Sequence, residues 1–311
     1  MREERPVAPP PSREFMRFLA RAGRDRTHGA REIAAAALEE VGRELARWSN
    51  APVGPSRASL LALARRWRRI QPAMGIFRTW GSEWAKIAGR SPAPLLGPRL
   101  RRWRAQWQRR LAAEAVRVNR TVRNSLPRGA RIVTISRSGT VSASLRSLDP
   151  ARRPREVVVL ESQPGGEGRT LASELRGAGI KARWVRDRSR RIAVRDSDLV
   201  VIGADTVERD GSVVHKVGTR ALAREALRRQ VPVVVVAGSS KWVPEFSRSG
   251  PLPRLFDRTP ARWIAQYWTD QGRRPGRSRI PIQTRHQRDE VPAPPRRRRR
   301  PDPGRRDGSG R

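Results

Sequence analysis

Cysteine is absent from the 311 residues, which excludes disulfides, zinc–thiolate sites and a thiol nucleophile and leaves the redox compartment unreadable. Histidine occurs only at positions 28, 215 and 286, too few and too scattered for a histidine metal site. No apolar run reaches the roughly 18 residues of a membrane span, and the start MREERPVAPPPSREF lacks the apolar stretch of a secretory signal. A cytoplasmic protein with no membrane contact is expected. A GxGxxG fingerprint after the first strand candidate is also missing, which counts against NAD, and neither a metal nor a cofactor is expected.

Lysine is scarce, at positions 86, 181, 216 and 241 only, yet the formal net charge is +39, so nearly all the excess is arginine. Such a field attracts nucleic acid, anionic lipid or phosphorylated ligands, although a GC-rich coding sequence inflates Arg, Ala, Gly and Pro together and gives the same imbalance. Part of the charge is segregated. Residues 273–311 hold Arg in excess over acid, with Pro and Gly throughout and a block at Arg296 to Arg300. This tail cannot bury a core and is expected to be disordered, with weak, salt-sensitive, nonspecific nucleic-acid binding as its most economical activity.

The chain is long enough for two domains with real cores. After a Pro-rich residues 1–13, residues 14–127 read as helical. Ile33, Ala37, Val41, Leu45 and Trp48 form one stripe, with Asp25 or Thr27 as N-cap. Leu100, Trp103, Trp107, Leu111, Ala115, Val118 and Val122 form a second, longer stripe. The tryptophans at 48, 67, 80, 84, 103 and 107 invite a reading as stacking platforms for bases, but their helical spacing argues for core packing. From 128 to 272 the pattern changes to short β-branched runs (131–135, 156–160, 182–185, 199–202, 231–236) separated by helical stretches at 168–177 and 216–229. Repeated β–α alternation predicts a parallel sheet covered by helices on both faces. The expected fold is α/β: a helical N-terminal domain followed by a Rossmann-like one.

In such a fold the polar residues at strand carboxyl ends converge on one crevice. The first strand delivers Thr134, Ser136, Arg137, Ser138, Gly139 and Thr140, a hydroxyl-rich turn before a helix that suits a phosphate. The second delivers Glu161, Ser162 and Gln163, followed by the loop PGGEGR. The fourth ends in GAD and delivers Asp205, which either caps a turn or moves a proton. Lys216 follows as a compact cation. Asp205 and Lys216 together suit a sugar phosphate.

The order TISRSGT, VVVLESQPGGEGRTLASELRGAGI, DLVVIGADTVERDGSVVHKVGTRALA and VPVVVVAGSSKWVP resembles the family that joins the alpha, beta and delta subunits of translation initiation factor 2B to the isomerases of methylthioribose 1-phosphate and ribose 1,5-bisphosphate. DRTHGAREIAAAAL, RRIQPAMGIF and FDRTPARWIAQYWTDQG extend the similarity over about residues 14–272. The ESQP spelling is closest to the alpha subunit. The resemblance implies a NagB/RpiA/CoA transferase-like domain, pairing of C-terminal domains into a homodimer, and a site that includes Gly29, Ala30, Gln71, Arg137, Ser138, Gly139, Thr140, Glu161, Gln163, Glu167, Asp205, His215 and Lys216. It also implies departures. Ser136 stands where the isomerases carry a catalytic Cys, and a hydroxyl cannot replace a thiolate without a dedicated base, with no His nearby in sequence. Gln71 stands where an Arg grips substrate, Glu167 where a Gln is usual, and His215 where an Asn precedes the lysine.

The reading that follows is a catalytically silent member that binds a phosphorylated sugar or nucleotide and acts in regulation. A divergent aldose–ketose isomerase using Asp205 and Ser136 is the alternative, so whether the chain is an enzyme stays open. A nucleic-acid-binding protein acting through residues 273–311 is the third.

Overall fold

Short polar caps open the helices of the N-terminal half. Ser12 precedes the first, α1 (Arg13–Arg24), and its hydroxyl accepts the Phe15 N–H at 3.1 Å. Ser56 does the same for α3 (Arg57–Ile70), accepting the Ser59 N–H at 3.0 Å. Between them runs α2 (Ala30–Ser49), and after them come α4 (Gly75–Arg90) and α5 (Leu96–Ser125). The N-cap of α2 is Gly29 rather than Asp25 or Thr27. Asp25 instead closes the preceding turn by accepting the N–H groups of Thr27 at 2.9 Å and His28 at 3.0 Å, while Glu32 reaches back to the Gly29 N–H at 3.0 Å. The computed structural model describes residues 9–51, 54–243 and 252–283.

The six tryptophans of this half are interior, each no more than 5% exposed. Trp67 is the hub: it stacks on Phe77 at 5.8 Å and meets Phe15, Trp80 and Trp84 edge-on. Trp103 and Trp107 share one carboxylate oxygen, Glu83 Oε2, at 2.6 and 2.7 Å. The indole N–H groups of Trp48, Trp67, Trp80 and Trp84 find no acceptor among the described residues. These rings are held by area and edge-to-face geometry rather than by hydrogen bonds, and none is placed to stack on a base.

The second half alternates as the β-branched runs predict. Strands β1 (Arg131–Ile135), β2 (Glu156–Leu160), β3 (Ala182–Val185) and β4 (Leu199–Ile202) are separated by α6 (Gly139–Arg146), α7 (Gly168–Gly177) and α8 (Arg190–Arg195). A two-residue β5 (Thr206–Val207) and β6 (Val213–Lys216) follow, then α9 (Thr219–Arg228), β7 (Val233–Val236), β8 (Phe256–Thr259), β9 (Gln266–Thr269) and β10 (Gly272–Pro275). Seven strands form one sheet in the order β10-β9-β7-β4-β1-β2-β3, parallel except for the β9–β10 pair. Val133, Ile135 and Val200 pack to one side and Ile132, Val159 and Val201 to the other, so both faces are apolar and both are covered. This is the expected α/β architecture.

Three expectations change. Residues 216–229 are not one helix: Lys216 ends β6, and Gly218 at φ 95° turns the chain into α9. The strands β5, β6 and β8 form a small antiparallel sheet of their own, which short runs such as TV and VVHK do not reveal. The chain also stays ordered past residue 272, because β10 completes a hairpin on β9 and Gly276 N–H donates to the Ala265 carbonyl at 2.8 Å. Backbone pairing at a sheet edge does not depend on apolar side chains, so arginine-rich composition does not forbid it. Residues 1–8 and 284–311, with the Arg296 to Arg300 block, lie outside the described residues. Among those described, no helix is long and apolar enough to cross a membrane.

Trp67→Ala is expected to cost about 3–5 kcal/mol, read from the urea midpoint, because it removes the ring on which four others pack. A loss below about 1 kcal/mol would contradict this packing.

Candidate functional site

The carboxyl ends of β1 and β4 face the amino end of α2, and a cleft of about 770 Å³, counting its open mouth, lies between them. Its shape depends on Gly203, where a Cβ would fall 2.2 Å from Ser138 Oγ, so the chain leaving β4 can pass only as glycine. Asp205 follows. Its backbone N–H donates to the Val214 carbonyl at 2.9 Å, its carbonyl accepts the Gly75 N–H at 3.3 Å, and its Oδ1 lies 3.4 Å from the Ala30 N–H. The next residue seals the seam: Thr206 Oγ1 donates to the Ala73 carbonyl at 2.8 Å and accepts the Gly75 N–H at 2.6 Å. Burial raises the pKa of Asp205. The charge of Lys241 opposes that rise most, with smaller help from His215, the Ala30 N–H and Lys216.

The two basic residues singled out in the sequence are both neutralised. Arg137 donates from Nε to Glu174 Oε1 and from Nη1 to Glu32 Oε1, each at 2.6 Å, and so joins α7 to α2. Lys216 Nζ donates to Glu167 Oε1 at 2.7 Å and to the Arg26 carbonyl at 3.0 Å. Glu167 therefore occupies the lysine. Its other oxygen, Oε2, is buried without a partner among the described residues.

Ser136 lines the cleft at φ 60°, a left-handed turn that a side chain rarely adopts, held by its N–H donating to the Leu160 carbonyl at 3.1 Å. Ser138 caps α6, and Gly139 and Thr140 line the same wall. His215, remote from Ser136 in sequence, lines the same cleft. Its Nδ1 lies 3.2 Å from Asp257 Oδ1, and its Nε2 is buried and unpartnered among the described residues.

One residue that sequence reasoning missed is Lys241. It is buried in the cleft wall, where its Nζ donates to Thr140 Oγ1 at 3.3 Å. Burial lowers its pKa, and the carboxylates of Asp205 and Glu114 work against that. The turn carrying it is fixed by Glu114 of α5, which accepts the Ser240 N–H and Ser240 Oγ, both at 2.7 Å. Lysine scarcity was the available signal, since Lys241 follows a strand in the motif AGSSK much as Lys216 follows the GAD turn.

Five candidates do not face the cleft, among them Thr134, which is buried in β1 with its hydroxyl unpartnered among the described residues. Gln71 is buried and ties α1 down, donating to the carbonyls of Ala22 at 2.8 Å and Asp25 at 3.0 Å. Glu161 pairs with Arg169 at 3.0 Å, a hydrogen bond that holds its carboxyl below the usual range. Ser162 and Gln163 give their N–H groups to Asp187 at 2.9 and 2.8 Å. Gly29 and Ala30 do line the cleft, bringing the amino end of α2 to it.

The sheet order, the GAD turn and the cleft between halves now stand beside known proteins. Residues 99–250 match the model of the initiation factor 2 subunit family. A protein of Pyrococcus abyssi named as eIF-2B subunit 2-like is 35% identical over 158 residues, which is 46% of this chain and 57% of that one. A ribose 1,5-bisphosphate isomerase of Archaeoglobus fulgidus is 30% identical over 117 residues, covering 38% of this chain and 37% of the isomerase. The chain thus spans about half the length, or less, of these curated relatives. In fold the likeness is longer: the solved structure of the Pyrococcus horikoshii translation initiation factor eIF-2B superposes with a TM-score of 0.68 over 88% of this chain and 100% of the other, at 23% identity. The resemblance read from the motifs is borne out.

Asp25, at the rim, supplies a pH prediction. Partial burial works against its charged form, but hydrogen bonds from the His28 and Thr27 backbones outweigh it and lower the carboxyl to about 2 from 3.8. A depressed carboxyl stabilises the fold above its unfolded pKa and loses that contribution as pH falls, here between about pH 5 and 2. Discounted for solvent screening, the contribution is about 1 kcal/mol. Asp25→Asn should flatten the acid limb of the stability–pH curve by that amount, and an unchanged limb would exclude the effect.

Proposed function

We propose that this chain is an initiation factor 2B-like binding protein that takes a phosphorylated sugar or nucleotide into the cleft around Asp205 without converting it, and so acts in regulation. The observation that carries the reading is the pairing of Lys216 with Glu167 at 2.7 Å, beside a serine at the turn where the related isomerases place a thiol. A lysine held by an internal carboxylate does not stabilise a developing oxyanion in the way a free one does. A hydroxyl is a far weaker nucleophile than a thiolate. The binding side of the reading rests on the amino end of α2, the buried amine of Lys241 and the unpartnered Nε2 of His215, all on residues that line one cleft. In this reading the protein is a cytoplasmic homodimer joined through its sheet-bearing half, as the family resemblance implies.

Calorimetric titration with a panel of phosphorylated pentoses and nucleotides, alongside an aldose-to-ketose conversion assay, tests the proposal. Binding of at least one member without turnover is the expected result. Turnover that vanishes in Asp205→Asn would replace it with an isomerase. Glu167→Gln should tighten binding of the same ligand about tenfold, the worth of one freed charge-assisted hydrogen bond. No change or a weakening would mean that Glu167 is not the competing group.

A further inference from the structure

His215 has an unusual split environment. Its side chain is 5% exposed, and its two ring nitrogens face different surroundings. Nδ1 lies 3.2 Å from Asp257 Oδ1 and 3.4 Å from the Lys216 carbonyl. Both neighbours are acceptors, which assigns the hydrogen to Nδ1. Asp257 is itself fixed, because it accepts the N–H groups of Gly218 at 2.8 Å and Arg220 at 3.1 Å at the start of α9. The carboxylate therefore cannot swing away to let the ring turn over. Nε2 is buried with no partner among the described residues, on a side chain that lines the cleft.

A ring held in this way has one free variable. Neutral, it offers a lone pair at Nε2; protonated, it offers an N–H and a positive charge at the same point. The surrounding charges limit what that point can meet. Beyond β5 stands Asp205, for which His215 is one of the favourable charges. Lys216, next along β6, is occupied by Glu167, and Lys241 donates to Thr140. On β8, Arg258 is taken up by Glu208 and Asp210. From the helical half, His28 is engaged by Asp25, while Arg26 and Arg31 stand at the lining. Arg220 of α9 lies over the Trp263 ring. Of the two histidines that line the cleft, His215 is buried and His28 is exposed.

We propose that His215 makes ligand capture depend on its own protonation. With Nε2–H present, the ring donates to an anionic oxygen of the phosphorylated ligand. Once that proton leaves, a lone pair faces the same oxygen and the contact becomes repulsive. The asparagine that the related motif carries here has no such titration. The inference rests on the binding function proposed above and adds its regulation by pH.

The test uses the full chain and ribose 5-phosphate as probe, titrated calorimetrically from pH 5.5 to 8.5 in parallel with His215→Asn. The phosphate itself titrates near pH 6, so the ratio of the two dissociation constants isolates the imidazole. Relative to His215→Asn, wild-type affinity should fall by up to about tenfold per pH unit above the ring's midpoint, the limit for one linked proton. Equal pH slopes in the two proteins would overturn the gating and leave the binding function standing. Absence of binding at every pH would overturn both. Should His215→Asn not fold, the Hε1 resonance of His215 in the wild type decides the matter. Saturating ribose 5-phosphate must raise its titration midpoint, and an unmoved midpoint refutes the proposal.

Discussion

One guanidinium ties the two halves of the cleft together. Arg137 leaves the end of β1 and is gripped at 2.6 Å by Glu32 from the helical half and at 2.6 Å by Glu174 from the sheet-bearing half. Glu32 is also the residue that closes the first turn of α2, and Glu174 also accepts the Ser142 hydroxyl of α6 at 2.8 Å. One cation thus fixes the amino end of α2, the turn after β1 and the flank of α7 relative to one another. Without it, two carboxylates would face each other across a partly buried seam, where like charges repel strongly.

The same arrangement explains why a chain with a net charge of +39 has a cleft in which the obvious cations are not free. Carboxylates are rare here, yet Glu32, Glu174 and Glu167 are spent on Arg137 and Lys216. The surplus arginine lies largely on exposed helix faces, where it is hydrated and screened. Net charge therefore describes the outer surface, and the cleft follows its own local balance.

The parallel sheet and long helices were legible because β-branched runs and heptad-like stripes are strong local signals: 131–135, 156–160, 182–185 and 199–202 coincide with strands residue for residue. Asp205 was legible as well, since a strand followed by a small-residue turn delivers its acid to the crevice. The errors came from side chains whose partners lie far away in sequence. Gln71 looked like a ligand contact but serves two carbonyls of the α1 end. Arg137 looked free until Glu32 and Glu174 were brought to it. Lys216 looked like the start of a helix because nothing in VVHK announces pairing with Phe256 on β8. Lys241 and the Asp257 partner of His215 depend on tertiary contacts that no spacing encodes.

The helix α5 spans 30 residues, about 45 Å at the usual rise. Leu100, Trp103 and Trp107 near its start are set in the tryptophan core, and Val118 and Val122 near its end are set in the core beneath the sheet. Between them, Glu114 holds the turn that carries Lys241. A single rigid rod is thus anchored in both halves, and swinging them apart would break it or tear one anchor out. The rod therefore sets the spacing of the two cores, and the cleft between them keeps its width unless that helix bends.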